Sequence, residues 1–356
     1  CLDFKKIIKA DLERSGWFAM APAGPAALLV DGSCEGRGAA MTAKCRVRQM
    51  PSQKALLDRT FAGGRTARRR LAHAVADEIV QAVKGSPGMA SSRIVMVGSR
   101  GTGKEIYVCD ADGYNLVQVT DDKSIGMAPT WHPDGKKIAY TSFHAAFPYI
   151  YEIGLGGQGM SRSRLTSYPG LNMCGDVSPD GSRLALCLSK DGNPDLYALE
   201  LGSKRLTRVT RSVNSGEASP SWSPDGRQIV FVSDSPGRPH LFVAGGEGST
   251  PRRLTFSGRE NVAPDWGKNG LVAYTSLREG HYQICVINPV SGEDKQLTGD
   301  GADYEDPSWA PDGRHMVCSR AEGRRSTVYI LDTMGDGLIR LINVSGDWKS
   351  PAWSPR

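Results

Sequence analysis

The sequence predicts a mainly β fold, a six-bladed β-propeller closed by its C-terminal strand and preceded by a small α/β domain. Three observations carry this. One phrase recurs six times: Trp131-His-Pro-Asp134-Gly135, Val177-Ser-Pro-Asp180-Gly181, Trp222-Ser-Pro-Asp225-Gly226, Trp266-Gly-Lys-Asn269-Gly270, Trp309-Ala-Pro-Asp312-Gly313 and Trp353-Ser-Pro-Arg356. The first residues of the copies lie 46, 45, 44, 43 and 44 positions apart, and a four-stranded propeller blade takes about 40–45 residues. Finally, the two ends of the repeat region are complementary fragments of one more blade.

The elements follow in chain order. In residues 1–88, Phe4, Ile7, Ile8 and Leu12 fall at helical spacing in a segment that stops at Ser15-Gly16. Ala26–Val30, Met41–Arg48 and Ala55–Phe61 read as short strands. Thr66–Lys84 reads as a second helix, with Leu71, Val75, Ile79 and Val83 on one stripe and a stop at Gly85-Ser-Pro87. This makes 1–88 a small α/β domain and 89–356 the propeller.

The interval Ser219–Thr255 serves as the pattern for one blade. Ser219–Trp222 is a strand, and Pro224-Asp225-Gly226 is a turn in which Pro sets φ, Asp bonds locally and Gly supplies the left-handed conformation. Gln228–Ser233 and His240–Val243 are strands, and the fourth runs to Leu254-Thr255. Fourth strands end alike at Val119-Thr120, Leu165-Thr166, Val209-Thr210 and Leu297-Thr298, whereas the last, Leu338–Leu341, drifts. Ser92–Val97, Glu105–Val108 and Leu116–Thr120 have no Trp strand before them, and Ser350–Trp353 has nothing after it. Together these fragments complete a sixth blade, which removes the exposed edges of an open stack. Deleting Lys349–Arg356 is expected to open the ring. A Trp at one register of every repeat is expected to pack between blades, and the turn Asp residues to do turn chemistry.

Composition narrows the function classes. No run approaches the ~18 apolar residues of a membrane span. Residue 1 is Cys, not Met, no signal peptide is visible, and residues 19–30 are Ala/Pro/Gly-rich. A lipid anchor on Cys1 would need a tether, and a helix is expected almost at once. Residues 1–90 hold 15 Lys and Arg against 8 Asp and Glu, the remainder 29 against 30. The basic group Arg65, Arg68, Arg69 and Arg70 lacks interleaved aromatics and reads as a solvated face, not a nucleic-acid contact. The eight Cys show no CxxC and no His at metal spacing, so buried free thiols are expected. Cys174 and Cys187 flank Pro179-Asp180-Gly181. In a two-residue turn they would face each other, and in a three-residue turn with a Gly bulge Cys174 faces Leu186.

Enzymatic signatures fail on inspection. Gly98-Ser-Arg-Gly-Thr-Gly103-Lys104 approaches a phosphate-binding loop, but Glu105 stands where Ser or Thr should hold Mg²⁺, and a strand follows where a helix is needed. There is no Gly-x-Ser-x-Gly elbow, the six His are scattered, and Asp110-Ala-Asp112-Gly113 lacks the rest of an EF-hand loop. No catalytic residue, cofactor or metal is expected.

Three stretches then resemble the TolB family of periplasmic Tol–Pal proteins: Ile8-Lys-Ala-Asp-Leu-Glu-Arg-Ser-Gly-Trp-Phe18, Ser92–Val97 through Tyr107-Val-Cys-Asp-Ala-Asp-Gly-Tyr-Asn115, and Leu188-Ser-Lys-Asp-Gly-Asn-Pro-Asp-Leu-Tyr197. The resemblance covers essentially the whole chain, loosely over residues 34–60. It implies a non-enzymatic, monomeric periplasmic protein that binds the peptidoglycan-associated lipoprotein Pal at the propeller's opening. It also implies contact with TolA through an N-terminal peptide, which with the family's first strand would lie before Cys1. Outer-membrane integrity, division and bacteriocin import are the implied roles.

Loops leading into the innermost strands should ring one mouth of the channel. They carry Met127, Leu171, Asn172, Glu217, Asn261, Tyr304, Glu305, Asp347 and Trp348, a mixed polar and aromatic rim suited to protein recognition. The resemblance adds Cys174 and Ala218. Alanine at Glu217 or Tyr304 is expected to weaken Pal binding by ~1–2 kcal/mol. The alternative is a propeller hydrolase or lyase with a channel active site, for which only Glu217, Glu305 and Asp347 offer rim carboxylates.

Overall fold

The structure, a computed structural model, describes residues 2–21, 26–145, 147–156, 161–235, 237–335 and 337–355. The chain separates into two compact units. One comprises the residues up to Ser92 together with Asp110–Asp112, and the other Arg93–Cys109 and Gly113–Pro355. Cys1 and Arg356, on which the anchor and tail expectations partly rest, lie outside the described residues.

In the first unit, α1 (Leu2–Arg14) and α2 (Arg68–Lys84) accompany an antiparallel sheet of β1 (Leu28–Arg37), β2 (Ala40–Gln49) and β3 (Lys54–Gly64). Strand β2 alternates strictly and turns Met41, Ala43, Cys45 and Val47 inward. These meet Phe4 and Leu12 of α1 and Val75 and Ile79 of α2 in one core. Both helices end as the sequence predicts, α2 at Gly85, whose φ of 74° lets its N–H reach the Gln81 carbonyl. Two details differ. The first turn of the second helix tightens into a 3-10 turn over Arg65–Ala67. The first strand continues past Val30 to Arg37, because ten residues pair in unbroken register with β2, outweighing the local turn signal of Asp31-Gly32-Ser33. Arg68 and Arg70 are exposed, as a solvated face requires.

In the second unit the described residues form six four-stranded antiparallel sheets. The N-terminal sheet contains β4 (Arg93–Ser99), β5 (Glu105–Asp110) and β6 (Val117–Gln118). The next contains β7 (Gly126–Trp131), β8 (Lys137–Ser142), β9 (Tyr149–Gly154) and β10 (Ser161–Arg164). It is followed by β11 (Asn172–Val177), β12 (Arg183–Leu188), β13 (Asp195–Glu200) and β14 (Leu206–Arg208). Then come β15 (Glu217–Trp222), β16 (Gln228–Ser233), β17 (His240–Gly245) and β18 (Arg252–Arg253), and β19 (Asn261–Trp266), β20 (Val272–Arg278), β21 (His281–Ile287) and β22 (Asp294–Gln296). The last run is β23 (Tyr304–Trp309), β24 (His315–Glu322), β25 (Arg325–Asp332) and β26 (Leu338–Arg340). Strand β27 (Asp347–Trp353) joins β4, in the order β27-β4-β5-β6, with Trp353 opposite Ile94. The phosphate-loop look-alike is the hairpin connection between β4 and β5.

The recurring residues have local reasons. Asp134, Asp180, Asp225, Asn269 and Asp312 each accept a main-chain N–H two residues on, at 2.7–3.0 Å. The following Gly135, Gly181, Gly226, Gly270 and Gly313 all have φ between 65° and 81°. The recurring Thr closes each sheet's outer edge. Thr120, Thr166, Thr210, Thr255 and Thr298 accept from the N–H groups of Ile106, Ile150, Leu196, Leu241 and Ile284 at 2.9–3.1 Å. In the last of these runs Ile342 takes that place, and the hydroxyl comes instead from Thr327, which donates to the Ile342 carbonyl at 3.2 Å. This is the physical content of the drift in the final repeat.

Trp131, Trp222, Trp309 and Trp353 are buried. Trp222 packs with Ala185, Cys187 and Leu196 of the preceding sheet, and Trp309 with Ala273 and Ile284 of the one before it. Cys174 pairs with Leu186, and Cys187 with Met173, but the shift that separates the two cysteines is a bulge within the strand between Cys174 and Val177, not at the Asp180-Gly181 turn, and both thiols are free and buried. The expectation of free thiols fails at Cys34, which is disulfide-bonded.

Candidate functional site

One edge strand of each four-stranded sheet in the second unit, β7, β11, β15, β19, β23 and β27, lines one cavity of about 590 Å³. Each carries a bulge after its second or third residue, and at that point Ala128, Ser219, Ala263, Asp306 and Ser350 take φ of 47–54°. The bulge re-aims the strand, so the alternation expected of a plain strand is interrupted.

Consecutive inner strands are tied by side-chain to main-chain bonds near the axis. The N–H groups of Trp222, Trp266, Trp309 and Trp353 donate to Asp176, Ser221, Asp265 and Ser308 at 2.9, 3.1, 2.6 and 3.1 Å. Each acceptor belongs to the strand before. Two of them, Asp176 and Asp265, are acidic. Burial pushes Asp176 up to about 6 and Asp265 up to about 7, the Asp176 charge adding to the latter. Asp306, whose carboxylate accepts from Ser350 Oγ at 3.0 Å, is also raised by burial.

The expected rim residues divide by exposure. Ala218 is exposed, and Met127, Leu171, Glu305 and Asp347 are half-buried. Asn172, Cys174, Glu217, Asn261, Tyr304 and Trp348 are buried. The expectation that these six present their side chains at the mouth therefore needs correction, since they point inward and hold the loops. Glu217, only 6 % exposed, accepts from the hydroxyls of Thr210 and Ser212. Burial raises its pKa, and those bonds offset part of the rise. Asn172 donates to the Tyr168 and Gly170 carbonyls at 2.8 and 3.1 Å. Asn261 bonds the Ser257 carbonyl and His240 Nδ1, both at 2.9 Å. Tyr304 donates to Asp300 at 2.9 Å while Arg320 donates to its oxygen at 2.8 Å. Trp348 Nε1 reaches the Val344 carbonyl at 2.9 Å. Polar residues at strand starts read as rim groups because sequence does not show the Thr, Ser and carbonyl partners waiting for them.

Other groups do face solvent on the loops at this end of the strands. Ile125, Phe143, Phe147, Val213, Phe256 and Val344 are exposed apolar side chains. Exposed apolar side chains gathered at one end, three of them aromatic, mark interaction surfaces more often than bare loops. For Ile125, Val213, Phe256 and Val344 the signal available in the sequence was their place between the end of a fourth strand and the next inner strand, whereas Phe143 and Phe147 lie in the β8–β9 connection. For the alternative enzymatic reading the carboxylates are poorly placed. Glu217 is engaged with two hydroxyls, and Asp347 accepts the Ser326 N–H at 2.7 Å. Among the described residues the one His and carboxylate group spaced for a metal ion is Asp11, His73 and Asp112, in the other unit.

Comparison with known proteins gives a consistent result. A profile described as the TolB beta propeller domain matches residues 80–356. The Tol-Pal system protein TolB of Bordetella pertussis is 33% identical, over 98% of this chain and 84% of that protein. A TolB homolog of Chlorobium luteolum is 31% identical over 85% of this chain and 68% of its own length. The crystal structure of TolB from Acinetobacter baumannii superposes with a TM-score of 0.88 at 27% identity, covering 99% of this chain and 94% of that one.

Proposed function

The chain belongs to the TolB family, and we propose that it is a non-enzymatic periplasmic component of the Tol–Pal system that binds the lipoprotein Pal at the mouth of its propeller and links it to TolA. The observation that carries this is the mouth itself. Its loops are pinned from below by buried Asn172, Glu217, Asn261, Tyr304 and Trp348, while Ala218, the half-buried Met127, Leu171, Glu305 and Asp347, and exposed Val213 and Phe256 face outward. A rigid, preorganised surface with apolar anchors and a few carboxylates suits a folded protein partner. In this reading the buried residues act by positioning and the outward ones by contact.

A closed six-bladed ring is part of the proposal. It is supported by six four-stranded sheets, by β27 completing the N-terminal sheet and by the bonds between consecutive inner strands. We read 1–88 and 89–356 as the two domains. No helix among the described residues is long and apolar enough to cross a membrane. TolA is the second partner in this proposal, with the protein a monomer.

Isothermal titration with the soluble domain of the same organism's Pal tests this reading. Saturable one-to-one binding, weakened by about tenfold or more in Ala218→Arg, is expected. Binding that ignores Ala218→Arg and Glu305→Lys would place the partner elsewhere.

A further inference from the structure

Helix α2 carries His73, which is nearly inaccessible at 2 % exposure and belongs neither to the propeller mouth nor to its channel. Its Nδ1 lies 2.6 Å from Asp11 Oδ2 on α1. Its Nε2, also buried, has no hydrogen-bond partner and points at Asp112 Oδ2, 3.7 Å away. Asp112 sits in the turn that follows β5, whose residues Asp110–Asp112 fold with the N-terminal unit. The turn is held there by the Ala111 N–H, which donates to the Ser92 carbonyl at 3.1 Å, and by Arg69, which donates to Asp112. The charged groups facing the imidazole are therefore Asp11 and Arg14 of α1, Arg69 of α2 and Asp112 of the turn, with Arg14 3.2 Å from Asp11 Oδ1.

Tautomer logic fixes the sign. The short Nδ1 contact requires a proton on Nδ1, because a carboxylate can only accept. In the neutral ring Nε2 is then a lone pair aimed at the Asp112 carboxylate, an unfavourable pairing in a buried site. Adding a proton turns it into an N–H donor directed at an anion. A metal ion in the same place would need further ligands, and both carboxylates are already engaged by arginines, so a proton fits the site better than a cation.

We propose that His73 is a protonation latch, in which proton uptake at Nε2 fastens the Asp110–Asp112 turn onto α1 and α2 and proton loss loosens it. Burial opposes the charge, but the hydrogen bond to Asp11 and the fields of Asp11 and Asp112 outweigh it, leaving the pKa of His73 above its ordinary value. With the folded value raised, the fastening is complete at low pH and is lost as the pH rises through the folded pKa.

The test uses the whole chain. The titration of His73 is followed by NMR of its ring carbons, with a free histidine peptide as reference, and hydrogen exchange is measured at the Ala111 amide from pH 5 to 9, corrected for intrinsic rates. His73 is expected to titrate above the ordinary imidazole value, and Ala111 to lose protection severalfold as His73 deprotonates. In Asp112→Asn the titration midpoint should fall and the pH dependence of Ala111 protection should flatten, an outcome that simple structural damage would not produce. His73→Gln should give pH-independent protection, and where it fails to fold the Asp112→Asn pair of measurements still decides. A His73 that titrates at or below the ordinary imidazole value, protection that ignores pH, or a ring signal that moves only on adding Zn²⁺ would each overturn the latch.

Discussion

Arg93 and Ser354, 261 residues apart in sequence, exchange two hydrogen bonds: the Arg93 N–H donates to Ser354 Oγ at 2.8 Å and the Ser354 N–H donates to the Arg93 carbonyl at 2.8 Å. The pair extends the β27–β4 ladder by one step and joins the two ends of the second unit. Ser354→Ala removes the acceptor of the Arg93 N–H together with the hydroxyl's own bond to the Pro355 carbonyl and should cost about 1 kcal/mol, seen as a lower denaturant midpoint with an unchanged slope. Deleting 349–356 removes most of β27 and exposes the edge of β4. The expected outcome is loss of a single cooperative transition and a tendency to associate. A truncated protein that unfolds like the intact one would refute the role given to the terminal strand.

Thr210 takes part in two bonds at once, accepting the Leu196 N–H at 2.9 Å and donating to Glu217. Thr210→Val keeps the shape and strands both partners, which should cost about 1–3 kcal/mol. Because Glu217 anchors the loop after Thr210, the same variant should also weaken partner binding. Chemical denaturation and the Pal titration measure the two effects separately.

How much of this was legible in sequence differs between residues of one strand. The period, the Pro-Asp-Gly turns and the Thr closures are local chemistry, and Thr210 was already visible as a recurring strand end. Glu217 looked like a rim carboxylate, because a charged residue at a strand start is usually solvated. Only the fold brings the Thr210 and Ser212 hydroxyls to it. The Cys174 register stayed open for a related reason. The bulge that puts Cys174 opposite Leu186 lies inside the strand, between Cys174 and Val177, where Gly175-Asp176 carries no turn signal to announce it. The first strand was underestimated because its length is set by pairing with β2, not by its own residues.

Trp222 is 2 % exposed, with the Arg183 guanidinium 4.4 Å above its ring. Trp222→Ala should destabilise by about 3–5 kcal/mol through the cavity it leaves. Binding measured at a temperature where the variant is still folded should be little changed. A large, selective loss of affinity at full stability would instead make the Trp residues part of a ligand cage.

Asp265 and Asp176 give the inner strands a pH dependence. Both have folded pKa values raised above the ordinary carboxylate value, to about 7 and about 6. The folded state therefore holds more protons than the unfolded one between about pH 4 and 7. Their contribution to stability is full below pH 4 and is lost as the pH rises through 7, at about 1.4 kcal/mol per unit of displacement. Asp265→Asn keeps an acceptor for the Trp309 N–H and removes the charge. Urea midpoints at pH 5 and pH 8 should differ less in this variant than in the parent. An equal or greater difference would show that Asp265 ionises freely in the fold.

The central claim is that the mouth of the propeller is the partner-binding face. Calorimetric titration with Pal's soluble domain, comparing the parent with Ala218→Arg, tests it most directly, since Ala218 is exposed and the substitution leaves the pinned loops intact. One-to-one binding in the parent and a loss of at least about tenfold in the variant are expected, with equal thermal stability. Undiminished binding by Ala218→Arg, or no binding by a folded parent, would contradict it.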